Sequence, residues 1–460
     1  MAALPVVAET RTTTAGGRTR YCWPAVGTTT PTLRGKGTYV GPSRRRGDLA
    51  LYAGRDFAGG DVTLATSAVA WVFFGPKDRA FLEARCAFCG ATKAETLCDK
   101  CENAYFCESC RDGRPHVCEA RASPSLRLAA MAARTCDEAY LRRNASRKTL
   151  DPFAVAAVRR LLSAAADGDD DDSSESLAEA SLRKLQRYGH ALTDDELRVI
   201  GIGLFPAEAT AANHSCSPNV WPRFAFRSGA APTMEYVATV ATIRKGDELC
   251  HEYVDQALPA KERRESLLKD YGFLCACSER CFACVHFPSD ESRTHAFLTA
   301  RDAAEDAIQG RDMHAASKAL SAMSEGLEAA YHGDYHPLKA LHYLRLAKVQ
   351  FSLNEKALPL LDNLKVALAR LPKTHGPDSP LIKIADHLRE ETIRLAWSSE
   401  YSERHPHLNH EPEWYNTFDF QRKKNRGKKT TSSKKKKGGD PPEIVETPWA
   451  GPRREESATD

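Results

Sequence analysis

No apolar run in this chain approaches the roughly eighteen residues of a membrane-spanning helix, which excludes a transmembrane anchor of that kind. The opening stretch, MAALPVVAETRTTTAGGRTR, has a short apolar patch but no charged region followed by a long apolar one, so it reads poorly as a secretory signal. Charge of one sign is also lacking. A net of +4 over 460 residues is too small to draw the whole protein to nucleic acid or to an anionic surface. There is no recognition-helix pattern either. Basic residues such as Arg111 and Arg114 would therefore meet nucleic acid only through phosphate attraction, nonspecific and salt-sensitive. The length is too great for one core, and two or three domains are expected.

Cysteine, by contrast, is plentiful and ordered. All of the fifteen except Cys22, Cys136 and Cys250 stand in spacings typical of metal ligands, a usage that fits a reducing compartment. The three others read as core or surface thiols, and the Asn144-Ala145-Ser146 sequon carries no weight in such a compartment. The densest group is Cys86, Cys89, Cys98, Cys101, Cys107, Cys110, His116 and Cys118, spaced C-x2-C-x8-C-x2-C-x5-C-x2-C-x5-H-x-C. Zinc takes four such ligands tetrahedrally, so eight make two closed sites. Interleaving the first pair with the third and the second with the fourth would give a cross-braced module that folds on its metal.

Along the chain, residues 1–30 are Thr-, Gly- and Ala-rich and are expected to lack order. From Val40 to Val72, apolar runs alternate with Gly-rich turns and read as two or three strands. SLRLAAMAARTCDEAYLRR and FAVAAVRRLL have helical spacing, ended by an acidic, serine-laced stretch from Asp167 to Glu175 that is expected to be a disordered loop over 165–177. Strand character returns at Val199-Ile200, from Phe224 to Ile243 and from Glu248 to Val254. Further on, Ala340, Leu344, Ala347 and Phe351 form a helical stripe, repeated by Leu361, Leu364, Leu368 and Leu371 and again by Leu381, Ile384 and Leu388. Thr374-His375-Gly376-Pro377-Asp378 separates the last two as a stop and turn. Beyond about Tyr401 the periodicity ends. The basic tract Arg422 to Lys437 reads as an import signal, a nucleic-acid-adjacent arm or a solvated tail.

Two further motifs carry chemistry. Asn213-His214-Ser215-Cys216-Ser217-Pro218-Asn219 is followed by Gly246-Asp247-Glu248-Leu249 and Tyr253-Val254-Asp255, and then by Cys275, Cys277, Cys281 and Cys284. With the cysteine-rich block before them, these segments resemble the SET-and-MYND family of protein lysine methyltransferases from about residue 35 to about 400, in order as well as in kind. The resemblance implies an α+β chain. Its strand-rich SET catalytic body (31–85 and 197–256) is split by a MYND zinc finger (86–118) and a helical insert (119–196). A post-SET zinc segment (257–288), an all-α tetratricopeptide-like domain (289–400) and a basic tail (401–460) complete it.

The activity implied is methyl transfer from S-adenosylmethionine to a lysine of a histone or non-histone protein. Tyr253 is the implied catalytic hydroxyl, and Asn213, His214, Tyr253 and Phe273 are implied cofactor contacts, with Tyr271 lining the substrate channel. For Tyr271 and Phe273, plain core packing beneath a zinc site is the alternative. Cys216, Cys275, Cys277 and either Cys281 or Cys284 would hold a third zinc, Cys281 being favoured. The family's glycine motif falls on Gly35 and Gly37 or, at a better distance but without the second glycine, on Gly47-Asp48-Leu49-Ala50.

The chain departs from the family in three other places. Tyr188 stands where relatives often carry a cofactor-binding Asn, His251 and Glu252 replace the usual apolar and hydroxyl residues before the tyrosine, and the finger ends H-x-C. Implied partners are protein substrates and proline-rich peptides at the finger, in the nucleus, the cytoplasm or both, with no membrane. The competing expectation is a catalytically silent scaffold that uses the finger and helical repeats to bind other proteins.

Overall fold

A computed structural model of the chain describes residues 11–13, 19–21, 37–43, 49–75, 85–92, 94–99, 102–111, 122–136, 141–142, 150–163, 172–275 and 291–402. The fold is α+β, with small sheets gathered into one body and long helices at the C-terminal end.

The body begins with β3 (Thr38–Pro42), β4 (Leu49–Ala53), β5 (Phe57–Ala58), β6 (Val62–Ser67) and β7 (Ala70–Phe73), five strands where the sequence pattern suggests two or three. The excess arises because Gly-rich turns cut the run more finely than its apolar stretches show. Even within 1–30, where no order was expected, β1 (Arg11–Thr13) pairs antiparallel with β2 (Thr19–Tyr21).

β8 (Thr96–Leu97) pairs antiparallel with β9 (Tyr105–Phe106), and later strands complete the sheets of the body. β10 (His190–Thr193) and β11 (Val199–Leu204) join β7; β13 (Val220–Ala225) and β14 (Thr233–Ala238) join β6; β15 (Thr242–Ile243) joins β5. The sheet that matters most has the order β12-β16-β4-β3, with β12 (Asn213–His214) parallel to β16 (Glu248–His251). Leu51, Phe57, Leu64, Ile200, Phe205, Phe224, Met234 and Leu249 fill the core between these sheets.

The helical insert consists of α1 (Pro124–Thr135), α2 (Pro152–Ser163) and α3 (Asp172–Tyr188). Ser123 caps α1 by accepting the Leu126 N–H, and Pro124 occupies its first turn. The expected acidic loop is in part this third helix, since residues 172–177 are helical while 165–171 lie outside the described residues. Leu182 and Leu185 commit it to the insert's core. Tyr188, at its end, packs against that core, with Lys184 Nζ 4.4 Å from its ring centroid.

The C-terminal helices are α6 (Glu291–Gly310), α7 (Met313–Ala330), α8 (Pro337–Ser352), α9 (Ala357–Thr374) and α10 (Pro380–Ser402), preceded in chain order by the short α4 (Ala207–Thr210) and α5 (Ala260–Ser266). Ala340, Leu344, Ala347 and Phe351 are all buried, as their spacing predicts. The next two stripes are offset. Leu360, Leu364, Ala367 and Leu371 line the core in α9, and Leu381, Ala385 and Leu388 do so in α10, leaving Ile384 36% exposed. Leucine count misleads there because Ala367 and Ala385 are themselves fully buried core positions. Among the described residues, no helix is long and apolar enough to cross a membrane. The basic tract at 422–437 lies outside the described residues.

Leu344→Ala is expected to cost about 2–5 kcal/mol of stability in urea unfolding, by removing a fully buried side chain from the centre of the helices. Ile384→Ala should cost under about 1 kcal/mol. Equal costs would contradict the offset of the last stripe.

Candidate active site and metal centres

The finger is built from turns that bring separate cysteine pairs to one point. Gly90 N donates to Cys86 O at 2.9 Å, closing the turn that holds Cys86 and Cys89. The Glu108–Cys110 turn of 3-10 geometry, in which Cys110 N donates to Cys107 O at 2.9 Å, presents the other pair. Gly90 sits at φ +72, and a Cβ there would fall 2.5 Å from the Phe73 ring, so the turn lies directly against the sheet body. Cys86, Cys89, Cys107 and Cys110 thereby converge, their ligand atoms all within 4.8 Å of one another.

Sulfurs on one tetrahedral zinc at about 2.3 Å stand about 3.8 Å apart. The Cys89–Cys107 sulfur distance is 3.7 Å. The four residues fit zinc, and they are the first and third pairs, as the interleaved scheme requires. Burial pushes the thiols of Cys89 and Cys110 up. Burial opposes ionisation of Cys107 too, but hydrogen bonds from Cys110, Cys89 and Ser228 outweigh it and bring that thiol down to about 7. Of the second set, Cys98 is described, and Cys101, His116 and Cys118 lie outside the described residues.

A second convergence joins His214, Cys216 and Cys275. Cys216 Sγ and Cys275 Sγ are 3.7 Å apart, again the spacing of two ligands on one zinc. His214 Nε2 lies 3.3 Å from Cys216 Sγ, while its Nδ1 accepts the backbone N–H of Tyr253 at 3.1 Å. With Nδ1 accepting, the proton of the ring belongs on Nε2, facing the sulfur. His214 is therefore a donor to Cys216 and does not compete with it for metal. The other ligands expected for this site, Cys277 and Cys281 or Cys284, lie outside the described residues.

Tyr253 stands at the centre of the candidate active site. Its hydroxyl donates to Ala212 O at 2.9 Å, and its own carbonyl accepts the Tyr271 hydroxyl at 3.3 Å. The Tyr271 ring centroid is 4.8 Å from that of Tyr253, His251 is also at 4.8 Å, His214 at 5.5 Å and Phe273 at 6.2 Å. Tyr271 reaches this position through a π-helical turn, Leu267–Tyr271, that extends α5 and closes on Gly272 at φ +75. Burial, with Asp270 nearby, pushes the Tyr271 phenol up to about 12, so it stays a donor.

The sequence pattern does not mark two residues behind this wall. Tyr236 is fully buried, with its hydroxyl on Ala209 O at 3.0 Å and its ring 5.4 Å from that of His251. His190 lies 5.9 Å from His251, and burial pushes it down to about 4. Burial likewise holds His251 well below its ordinary value, helped by His190 and His214. His251 faces Tyr253 as a neutral ring, with the His190 ring behind it. Each is a single aromatic in an apolar strand, and local pattern carries no signal of what lies opposite.

Asn213 Nδ2 donates to Leu49 O at 3.2 Å and to Glu248 Oε1 at 2.9 Å. Gly37 is elsewhere. It lies at the end of β3 that meets Ala53 and Gly54, whereas Leu49 pairs with Pro42 at the other end. Five residues of strand put about 17 Å between those ends. The structure thus brings Asn213, His214, Tyr253, Tyr271 and Phe273 together with Leu49, and leaves Gly37 apart. Gly35 and Gly47 lie outside the described residues. Tyr188 packs against the cluster that the insert forms with β7 and β11.

No family model matches the chain. It is 26% identical over 270 residues to the N-lysine methyltransferase SMYD2-A of Xenopus laevis, covering 52% of this chain and 59% of that protein. It is 27% identical over 263 residues to the histone-lysine N-methyltransferase ASHR1 of Arabidopsis thaliana, covering 50% and 52%. A stretch of 91 residues is 34% identical to the N-lysine methyltransferase SMYD2 of Rattus norvegicus, 20% of this chain and 19% of that one. The chain spans about half the length of the curated relatives it matches.

Cys107→Ser is expected to lower the zinc content by one ion per chain, as counted by elemental analysis against the parent protein. An unchanged count would contradict the four-cysteine site.

Proposed function

We propose, from the chain's kinship with the SET-and-MYND lysine methyltransferases, that it transfers a methyl group from S-adenosylmethionine to a lysine ε-amine of a protein substrate. The observation that carries the proposal is the convergence on Tyr253 of the residues the family motifs single out: Asn213, His214, Tyr271 and Phe273. S-adenosylmethionine, when bound, supplies the electrophilic methyl group. Asn213, His214, Phe273 and the Gly47–Ala50 segment would hold it, the last in preference to Gly35 and Gly37 because the Asn213 amide reaches Leu49.

The chain's own residues serve three needs. A lysine amine attacks only when neutral, although its free pKa is about 10.4. The aromatic rings around Tyr253, backed by neutral His251 and buried Tyr236, form a wall that disfavours the charged ammonium through desolvation. Orientation of the amine at near-attack distance contributes roughly 7–11 kcal/mol in favourable cases, and a phenol fixed at both its hydroxyl and its backbone is suited to give it. Finally, carbonyls and a hydroxyl stand ready for the sulfonium charge: Ala212 O and Tyr253 Oη lie at 2.9 Å from each other.

Three zinc ions per chain complete the proposal: two in the finger and one between Cys216 and the cysteines after it. The finger's partners would be proline-rich peptides, and the place of action the nucleus, the cytoplasm or both. The relatives are named as enzymes, which weighs against a silent scaffold.

Titration with S-adenosylmethionine should show saturable binding by both the parent protein and Tyr253→Phe, with labelled-methyl transfer to histones or lysate proteins reduced at least about tenfold in the variant. Zinc-loaded, folded protein that binds no S-adenosylmethionine would overturn the proposal. Elemental analysis should return three zinc ions, and one or none would overturn that part of it.

A further inference from the structure

The segment that carries Tyr253 is gripped from behind by the C-terminal helices. Asp255, two residues on, receives the Arg301 guanidinium on Oδ2 at 2.6 Å and the Tyr331 hydroxyl on Oδ1 at 3.0 Å. Arg301 belongs to α6, and Tyr331 follows the end of α7. Gln256 is fully buried, and its Oε1 accepts the backbone N–H of His332 at 2.9 Å, while its Nε2 bonds Glu252 Oε2. His336, fully buried at the start of α8, lies between the rings of Tyr331 at 4.6 Å and Trp221 at 4.8 Å, with Glu252 Oε2 3.8 Å from its Nε2.

The same connection is seated on the sheet body. Tyr335 N donates to Thr239 O at 3.0 Å, and Gly333, at φ +84, approaches so closely that a Cβ would fall 2.4 Å from that carbonyl. Burial works against charge on Arg301, but Asp255 outweighs it and holds the guanidinium firmly protonated. Burial also holds the Tyr331 phenol well above its usual range, so it stays a donor.

We infer that the 331–336 connection and Arg301 form a clasp that positions Tyr253, so that the helical domain is a working part of the active site and not only a surface for partners. The inference rests on the methyltransferase reading of that site. Residues 252–256 have no regular hydrogen-bonded ladder of their own. The clasp supplies the missing constraint from one side, as His214 and Tyr271 do from the other. Arg301 and Tyr331 act through Asp255 and so are positioning residues, whose loss should spare cofactor binding and slow turnover, since small misplacement of a reacting group is costly.

The test compares the parent protein with Arg301→Met, Arg301→Lys, Tyr331→Phe and, as a control, Arg370→Met, which breaks an ion pair with Glu328 inside the helical domain. Arg301→Met and Tyr331→Phe are expected to lower kcat about tenfold or more, while the Kd for S-adenosylmethionine stays within about twofold. Arg301→Lys should recover part of the loss. Amide exchange in 252–258 should accelerate in Arg301→Met and not in Arg370→Met. Parental kcat and exchange in Arg301→Met would overturn the inference, as would equal damage by Arg370→Met. If the parent protein transfers no methyl at all, the methyltransferase reading falls instead, and exchange in 252–258 alone decides whether the clasp holds the segment.

Discussion

His214 is bound at both ring nitrogens, and the rest of the site depends on that arrangement. Its Nδ1 takes the backbone N–H of Tyr253, and its Nε2 faces Cys216, so one buried imidazole ties the tyrosine's backbone to a cysteine of the second candidate metal cluster. The bond to Tyr253 requires β12 to lie beside β16, where Asn213 and His214 pair with Cys250 and His251. Because the pairing is parallel, the two strands cannot be joined by a tight hairpin, and β13, β14 and β15 intervene in the chain. Asn219 braces the same junction, donating to Glu248 O and accepting from Cys250 N.

Around that joint, each part of the chain supplies one constraint. The sheets set Leu49 against Asn213; the π-helical turn after α5 brings Tyr271 and Phe273 over Tyr253; the four-cysteine cluster fixes the finger on Phe73 and Phe226 through Gly90. The C-terminal helices hold the segment behind Tyr253 through Asp255 and Gln256. Polar groups buried at these contacts are met by specific partners, and leaving one unmatched would cost about 1–3 kcal/mol. That cost favours one arrangement of the domains over others of similar apolar burial.

Much of this was legible in the order of residues. That Cys86 and Cys89 act as one pair and Cys107 and Cys110 as another follows from the tight turn of C-x2-C, a local property, whereas the meeting of the first pair with the third is a property of the fold. The stripe from Ala340 to Phe351 follows from helical period. Spacing failed where a neighbour decides: α9 and α10 turn Ala367 and Ala385 into the core and leave Ile384 exposed, and residues 172–177 join a helix whose later leucines reach a core.

The sequence by itself determined the cysteine pairs of the finger and much of the alternation of strand and helix, because metal chemistry and backbone period act over a few residues, while the aromatic residues around Tyr253 were marked by the family resemblance. Only the tertiary structure decided which glycine-containing segment meets Asn213, which nitrogen of His214 faces sulfur, and that Tyr236, His190, Arg301 and Tyr331 belong to the surroundings of Tyr253. Apart from His214 and Cys216, which are neighbours in the chain, those contacts join residues from fifteen to more than a hundred and sixty positions apart. They are chosen by packing and by the need to satisfy buried polar groups, for which no local pattern in the chain is a record.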